Sequence, residues 1–178
     1  GEGAAFLVLE EYERARDRGA RIYAKLAGYG VCNDSVHLTQ PSLDGQVRAM
    51  ESALKDAAIR PEDIHYINAH GTGTRLNDIT ETNAIKKVFS EHARNVAISS
   101  TKSTHGHLVG AAGALELVIA VKALQNQYVP PTAHLEHPDP QCDLDYVPNS
   151  GRKQEIEAVM SNSFAVGGTA AVLIAQAR

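Results

Sequence analysis

A chain of 178 residues with 43% hydrophobic content is long enough to bury a real core, and it reads as one globular domain or a piece of one. Its net charge of −4, with no basic block interleaved with aromatics, excludes a nucleic-acid binder, because mild acidity repels a phosphate backbone. Cys32 and Cys142 lie far apart without metal or redox spacing, which fits reduced thiols in a cytoplasmic protein.

Gly1–Glu10 has no positive n-region and no cleavage site, unlike a signal peptide. The run Ala4–Glu10 predicts a buried strand that begins abruptly, as though cut from a longer chain. A short exposed helix follows over Glu11–Arg18, stopped by Gly19. Ile22–Val31 alternates as a second strand, and His37-Leu-Thr39-Gln-Pro41 is a polar loop. Val47, Met50, Leu54 and Ala57/Ala58 recur at helical spacing, giving an amphipathic helix that ends at Arg60-Pro61. Ile64–His70 predicts a strand entering Gly71-Thr72-Gly73-Thr74, a turn whose glycines permit positive φ. Asn77 or Asp78 is expected to cap the next helix, which turns Ala84, Ile85, Val88 and Phe89 inward. Asn95–Ser99 is a short buried strand.

The stretch Ser99–Gly113 then joins a polar loop to an apolar helix expected over Gly106–Gln127, in which only Glu116 and Lys122 are charged. A helix apolar around most of its circumference belongs inside a domain. Its length approaches that of a membrane span, but the mid-helix Glu116 and the glycines at its start argue against one. Buried, its N-terminal amides would stand beside Lys102, His105 and His107, a ready site for an anion. Pro130, Pro131, Pro138 and Pro140 mark a long surface loop, and Leu144–Val147 is expected as a short edge strand. Glu157–Phe164 and Thr169–Ala175 close the chain as strands joined by Ala165-Val166-Gly167-Gly168. Strands alternating with helices point to an α/β layered fold.

Three core strands end directly in polar or glycine-rich turns: Asn68 to Thr74, Thr101 to His107, and Asn162 to Gly168. Strand ends are where ligands converge in α/β folds. Together these turns supply two imidazoles, an ammonium and free backbone amides, a set suited to a developing oxyanion. A lone strand-end histidine is more often a hydrogen-bonded structural residue, and His65, His92, His134 and His137 are read that way. His105-Gly-His107 has no Cys or Asp/Glu cluster at ligand spacing beside it, so no metal is expected. Neither Gly71-Thr-Gly73 nor Gly106–Gly110 matches a dinucleotide or phosphate-loop motif.

The blocks Asn68-Ala-His70-Gly-Thr-Gly-Thr74, Ser100-Thr-Lys102-Ser-Thr-His-Gly-His107-Leu-Val-Gly-Ala-Ala-Gly-Ala114 and Asn162-Ser-Phe164-Ala-Val-Gly-Gly-Thr169, in this order, resemble the signatures of the β-ketoacyl-[acyl-carrier-protein] synthases. Gly1-Glu-Gly-Ala4 and Cys142-Asp-Leu-Asp-Tyr-Val-Pro148 fit the same pattern, so the resemblance covers essentially the whole chain. It implies a thiolase-like layered αβαβα fold, of which residues 1–178 are the C-terminal half, with a mixed five-stranded sheet and a buried central helix. The nucleophilic cysteine would lie in an N-terminal half outside this chain, and neither Cys32 nor Cys142 matches it. The implied reaction is decarboxylative Claisen condensation of an acyl thioester with malonyl-acyl carrier protein, in fatty acid or polyketide synthesis. No cofactor is implied beyond an optional structural monovalent cation. The implied partners are an acyl carrier protein, the N-terminal half and a second subunit in a homodimer or heterodimer.

By that resemblance His70 and His107 bind the malonyl thioester, and Lys102 fixes the electrostatics of the second histidine. Phe164, Val166 and Gly167 belong to the oxyanion and acyl-gate motif, and Thr39, Thr72 and Thr74 to substrate binding. Asp78, Glu81 and Glu116 support the lysine and its turns. Glu116 would be satisfied by the cation, with Asn68, Ala69, Ser161 and Asn162 nearby, or by a plain hydrogen-bond network. Two departures stand out: Val166 replaces the motif's gating phenylalanine, and His105 stands where a small residue is usual. Alone, the chain is expected to be inactive. The alternatives are a non-condensing partner subunit of the chain-length-factor type and a folded interaction domain.

Overall fold

The computed structural model describes residues 1–177. A mixed five-stranded sheet in the order β1-β7-β6-β2-β3 forms its centre. The strands are β1 (Lys25–Asn33), β2 (Tyr66–Asn68), β3 (Ala97–Ser99), β6 (Ala158–Phe164) and β7 (Thr169–Gln176). β6, β2 and β3 run parallel, whereas β1 and β7 join antiparallel at the other side. A separate two-stranded ribbon pairs β4 (Tyr128–Val129) with β5 (Arg152–Lys153).

Alternation along the strands sends neighbouring side chains to opposite faces. On one face Ile67, Ile98, Met160, Val172 and Ile174 meet α2 (Leu43–Ala57) and α3 (Arg75–Phe89) through Met50, Ala53, Ile85 and Phe89. On the other, Tyr66, Ala97, Val159 and Ala175 meet α5 (Ala112–Asn126) through Leu117, Ala120 and Leu124. This is an α/β fold in three layers, helix on both faces of one sheet. α1 (Tyr12–Asp17) lies outside the sheet, and the short α4 (Lys102–His105) follows β3.

Each helix start follows local chemistry. Ser42 caps α2 by accepting from the Gly45 N–H at 3.2 Å, and Ala58 ends it in the left-handed region at φ 53. Thr74 stands at the N-cap of α3 in place of the expected Asn77 or Asp78, and its hydroxyl instead meets Thr72 Oγ1 at 2.8 Å. α1 ends at Arg18 with Gly19 at φ 68, as the sequence indicated.

Three expectations are corrected. Ala4–Glu10 forms no strand; it finds no pairing partner among the described residues and leaves Phe6 91% and Val8 93% exposed. Leu144–Val147 is no strand either, although Asp145 O accepts the Ile98 N–H at 2.9 Å, because proline-flanked backbone makes only isolated bonds there. The apolar helix is not continuous from Gly106. The backbone breaks at Gly106 (φ 75), takes a 3-10 turn at Val109–Ala111, and only then enters α5. Residues 109–126 have the length and apolarity of a membrane span, but Leu117, Ala120, Ala123 and Leu124 pack on the sheet, so α5 is a sheet-packed helix with a half-covered outer side.

β1 carries Gly28 and Gly30 toward α2. A methyl group on Gly30 would land on Ala49 O and the Ala53 N–H, so the strand packs against helix backbone with no side chain between. Gly30→Ala is therefore expected to cost about 1–3 kcal/mol, read as a lower urea midpoint at unchanged m-value.

Candidate functional site

The parallel strands β2, β3 and β6 end at one edge of the sheet, and each of the three polar turns leaves from there. The imidazoles of His70 and His107 meet edge to face, with centroids 5.6 Å apart. The ring of Phe164 stands 5.7 Å from His70. Residues from three distant segments of the sequence thus converge on one spot.

Glu81 fixes the first turn. Its carboxylate accepts the backbone N–H groups of His70 and Gly71, both at 2.9 Å, and the side-chain amides of Asn162 at 3.1 Å and Asn77 at 3.3 Å. Burial pushes this carboxyl up, and its donors hold it down. Ser100 Oγ closes the turn from β3 by donating to Gly71 O at 2.6 Å.

Lys102 begins α4 directly after β3 and is 7% exposed. Its Nζ lies 2.5 Å from Glu116 Oε1 on α5, and Glu116 is fully buried. The contact is close but poorly directed: neither group has a hydrogen bond of good geometry among the described residues. Burial pushes the Glu116 carboxyl up while Lys102 opposes that shift.

The Lys102 charge also reaches the histidines. Burial, and then the Lys102 ammonium and His107, lower His70 to about 3, so its ring is neutral through the physiological range. Burial and Lys102 lower His107 as well. His107 Nδ1 accepts the Val109 N–H at 3.0 Å, which leaves the proton of a neutral ring on Nε2. His105 is oriented by a relay in which Asn68 donates to Thr101 Oγ1 (3.2 Å), Thr101 to His105 Nε2 (3.2 Å) and His105 Nδ1 to Gly106 O (2.7 Å). That relay spans the helix break and gives His105 a structural role that the sequence did not reveal.

A cavity of ≈ 970 Å³ is lined by His70, His107, Thr39, Thr72, Thr74, Phe164 and Val166. A second, of ≈ 610 Å³, takes Lys102, Asp78 and Glu81 into its wall and shares Thr72, Arg75 and His107 with the first. Val166 is 70% exposed, and among the described residues its N–H has no acceptor. Gly167 lies outside the first cavity and donates its N–H to Leu38 O at 2.7 Å. Asp78 accepts from Asn77 rather than supporting Lys102, and of the three acids only Glu116 reaches the lysine.

Of the groups considered around a cation, the side-chain amides of Asn68 and Asn162 point away from each other. Asn162 points to the α2 side, toward Glu81 and Met50, while Asn68 shares the Tyr66 face with α5 and Glu116. Asn68 and Asn162 sit on opposite faces because their positions in paired strands are out of phase: Asn68 registers with Ser161. Among the described residues no group of His, Cys, Asp or Glu is arranged to hold a metal.

A three-layer α/β unit with two facing imidazoles at the strand ends defines a thiolase-like half-fold. Residues 23–136 match the family model described as Beta-ketoacyl synthase, C-terminal domain, and the chain belongs to that family. It is 54% identical over 173 residues to Nodulation protein E of Rhizobium meliloti, covering 97% of this chain and 43% of the relative. It is 52% identical over 176 residues to 3-oxoacyl-[acyl-carrier-protein] synthase 2 of Coxiella burnetii, covering 98% of this chain and 42% of that one. Among solved structures, it is similar to a chain of the complex described as a type II PKS acyl-carrier protein in complex with its ketosynthase bound to the hexaketide. That match has a TM-score of 0.92 and 44% identity, covering 95% of this chain and 42% of the other. The chain therefore spans less than half the length of the relatives it matches.

Because His70 stays neutral when folded and protonates near 6.5 when unfolded, it withdraws stability as pH falls below that value. Relative to His70→Gln, the unsubstituted chain should lose stability as pH falls through 6.5, with a slope that rises toward about 1.4 kcal/mol per pH unit near pH 5. Parallel pH dependences of the two urea midpoints would show that His70 is not held neutral.

Proposed function

We propose that this chain is the C-terminal part of a decarboxylating condensing enzyme, and that it supplies the malonyl half of the active site. The observation that carries this reading is the facing pair of His70 and His107, neutral and held beside a buried cation on the wall of a ≈ 970 Å³ cavity. Decarboxylation of a malonyl thioester places negative charge on the thioester oxygen. A neutral N–H donor such as His107 Nε2–H stabilises that charge as it forms, and His70 supplies the second donor. The two rings must not be protonated in advance. A charged imidazole would bind the malonate carboxylate itself and hold back the loss of carbon dioxide. Burial keeps both rings neutral and the Lys102 ammonium adds to it, so on this reading Lys102 is a positioning and electrostatic residue.

The enolate then attacks an acyl group on a cysteine that a preceding N-terminal half would contribute. The free Val166 N–H is suited to receive the second oxyanion, that of the acyl carbonyl, while the Gly167 N–H is committed to the loop. Thr39, Thr72 and Thr74 line the cavity with hydroxyls for the amides of a carrier arm. The partner on this reading is an acyl carrier protein, in the cytoplasm, with a second synthase subunit completing a dimer. Fatty acid and polyketide synthesis both use this step. A non-condensing partner subunit has no use for a neutral histidine pair beside a buried lysine, and this favours the enzyme.

In the full-length protein, His70→Ala and His107→Ala should each lower malonyl-carrier decarboxylation by about 10²-fold or more, with acyl transfer to the cysteine largely retained. Loss of both steps together, or of neither, contradicts the assignment.

Valine at position 166 keeps the amide and removes a large side chain from the cavity wall. Val166→Phe should therefore narrow the range of acyl lengths accepted while sparing the rate with the shortest. An unchanged length profile across a series of acyl thioesters would refute a gating role for this position.

A further inference from the structure

Gln46 occupies the first turn of α2, one turn before Met50, on the stripe that otherwise packs into the core. It is 2% exposed, and neither its Oε1 nor its Nε2 has a hydrogen-bond partner among the described residues. A buried carboxamide with both ends unsatisfied is destabilising, and an apolar side chain of similar size would serve the core better. Yet Gln46 is part of the wall of the ≈ 970 Å³ cavity, where its neighbours along the wall include Leu38, Pro41, Phe164, Val166 and Ala170. Polar residues such as Asp34, Thr39, Ser42 and Asn77 share that wall, and Gln46 is the one among the lining residues whose buried side-chain polar atoms have no partner among the described residues.

The cover over this stretch is held by a few bonds. The Asp34 N–H donates to Gly168 O at 3.0 Å, Gly167 to Leu38 O at 2.7 Å, and the Asn33 amide to Gly167 O at 3.2 Å. Gly167 and Gly168 have φ of 86 and 79, a conformation that asks for glycine, and the turn they form carries the exposed Val166. Val166 and Gly168 of this turn line the same cavity as Gln46.

We propose that Gln46 is a specificity-determining residue whose carboxamide hydrogen-bonds an oxygen function, hydroxyl or carbonyl, on the acyl chain. The inference rests on the reading of the cavity as an acyl site. An apolar wall alone accepts alkyl and oxygenated chains with modest discrimination, whereas a site built around a buried hydrogen-bonding group rejects the chain that leaves that group unpaired. The carboxamide offers both a donor and an acceptor, so it pairs with either oxygen function. Thr39, Thr72 and Thr74 supply hydroxyls on the same wall for the arm that carries the chain, and the unpartnered carboxamide of Gln46 is assigned to the chain itself.

The test uses the full-length protein and calorimetric binding of octanoyl-pantetheine, its hydroxy- and oxo-substituted analogues, and unacylated pantetheine. The unsubstituted protein should bind at least one oxygenated analogue about tenfold more tightly than the octanoyl compound, and Gln46→Leu should abolish or invert that ratio. Gln46→Leu should also melt at a higher temperature, since it removes two unsatisfied polar atoms, whereas a carboxamide kept for structure would give a lower one. Equal binding of all acyl analogues by the unsubstituted protein overturns the proposal without recourse to any variant. Equal weakening of pantetheine and the acyl compounds in Gln46→Leu also overturns it, because Gln46 would then read the arm. Condensation plays no part in these readings. Absence of condensing activity alongside the expected binding ratio would count against the proposed function and leave the role of Gln46 standing.

Discussion

The ion pair between Lys102 and Glu116 joins the loop that carries His105 and His107 to the helix that supports it. Both groups are withdrawn from water, and their attraction in such a setting must offset the cost of desolvating two charges. Removing either partner of a buried pair costs about 3–5 kcal/mol, because the survivor keeps its charge and loses its compensation. A pair of apolar residues would hold α5 to the loop as well or better. What only the charged pair supplies is a fixed positive centre near two imidazoles, both lowered first by burial and then by this charge. The pair is better understood through the histidines than through stability.

Glu81 does complementary work on the opposite face of the sheet. Two of its contacts are to backbone N–H groups at the end of β2, so it sets the path of the chain at His70 and leaves the ring of that histidine free. The Asn162 amide ties the same carboxylate to β6. One acid on α3 therefore locks the ends of β2 and β6 together, and one acid on α5 locks the end of β3. The sheet brings the strand ends to a single edge, but these two carboxylates set the turns that leave it.

The sequence was most informative where burial and chemistry coincide. β2, β3, β6 and β7 are short apolar runs bounded by glycine and polar turns, and α2 and α3 carry clear stripes, so each was legible within a few residues. The convergence of His70, Lys102, His107 and Phe164 was legible only as three similar turns; no spacing along the chain says that their ends meet. Expectation and structure part at apolar segments with no cover among the described residues. Ala4–Glu10 has the composition of a strand but pairs with none of the described strands, and composition cannot tell these apart. Gly106–Leu108 looked helical because glycine, histidine and leucine do not forbid a helix. The break there is set by Gly106 at positive φ and by the relay through Thr101 and His105. Gln46 was legible in principle, as a polar residue on the apolar stripe of α2, but the stripe was read only from its apolar members.

The half-covered side of α5 bears on the site more than its distance from the cavity suggests. Leu115, Val118 and Ile119 form a stripe at helical spacing that the sheet does not reach, and each lies within a turn of Glu116. On the strand side, Tyr29 and Val31 are 61% exposed on an edge strand whose other face is pressed against α2. Apolar surface of this kind is favourable only when covered, and each such side chain gains about 1.5–3 kcal/mol when it is. A body packed against that stripe would constrain the helix turn that holds Glu116, and through Glu116 the depth and position of Lys102. The helix turn that holds the partner of Lys102 is thus also the one whose outer side is only half covered, and the charge set beside His70 and His107 rests on that turn.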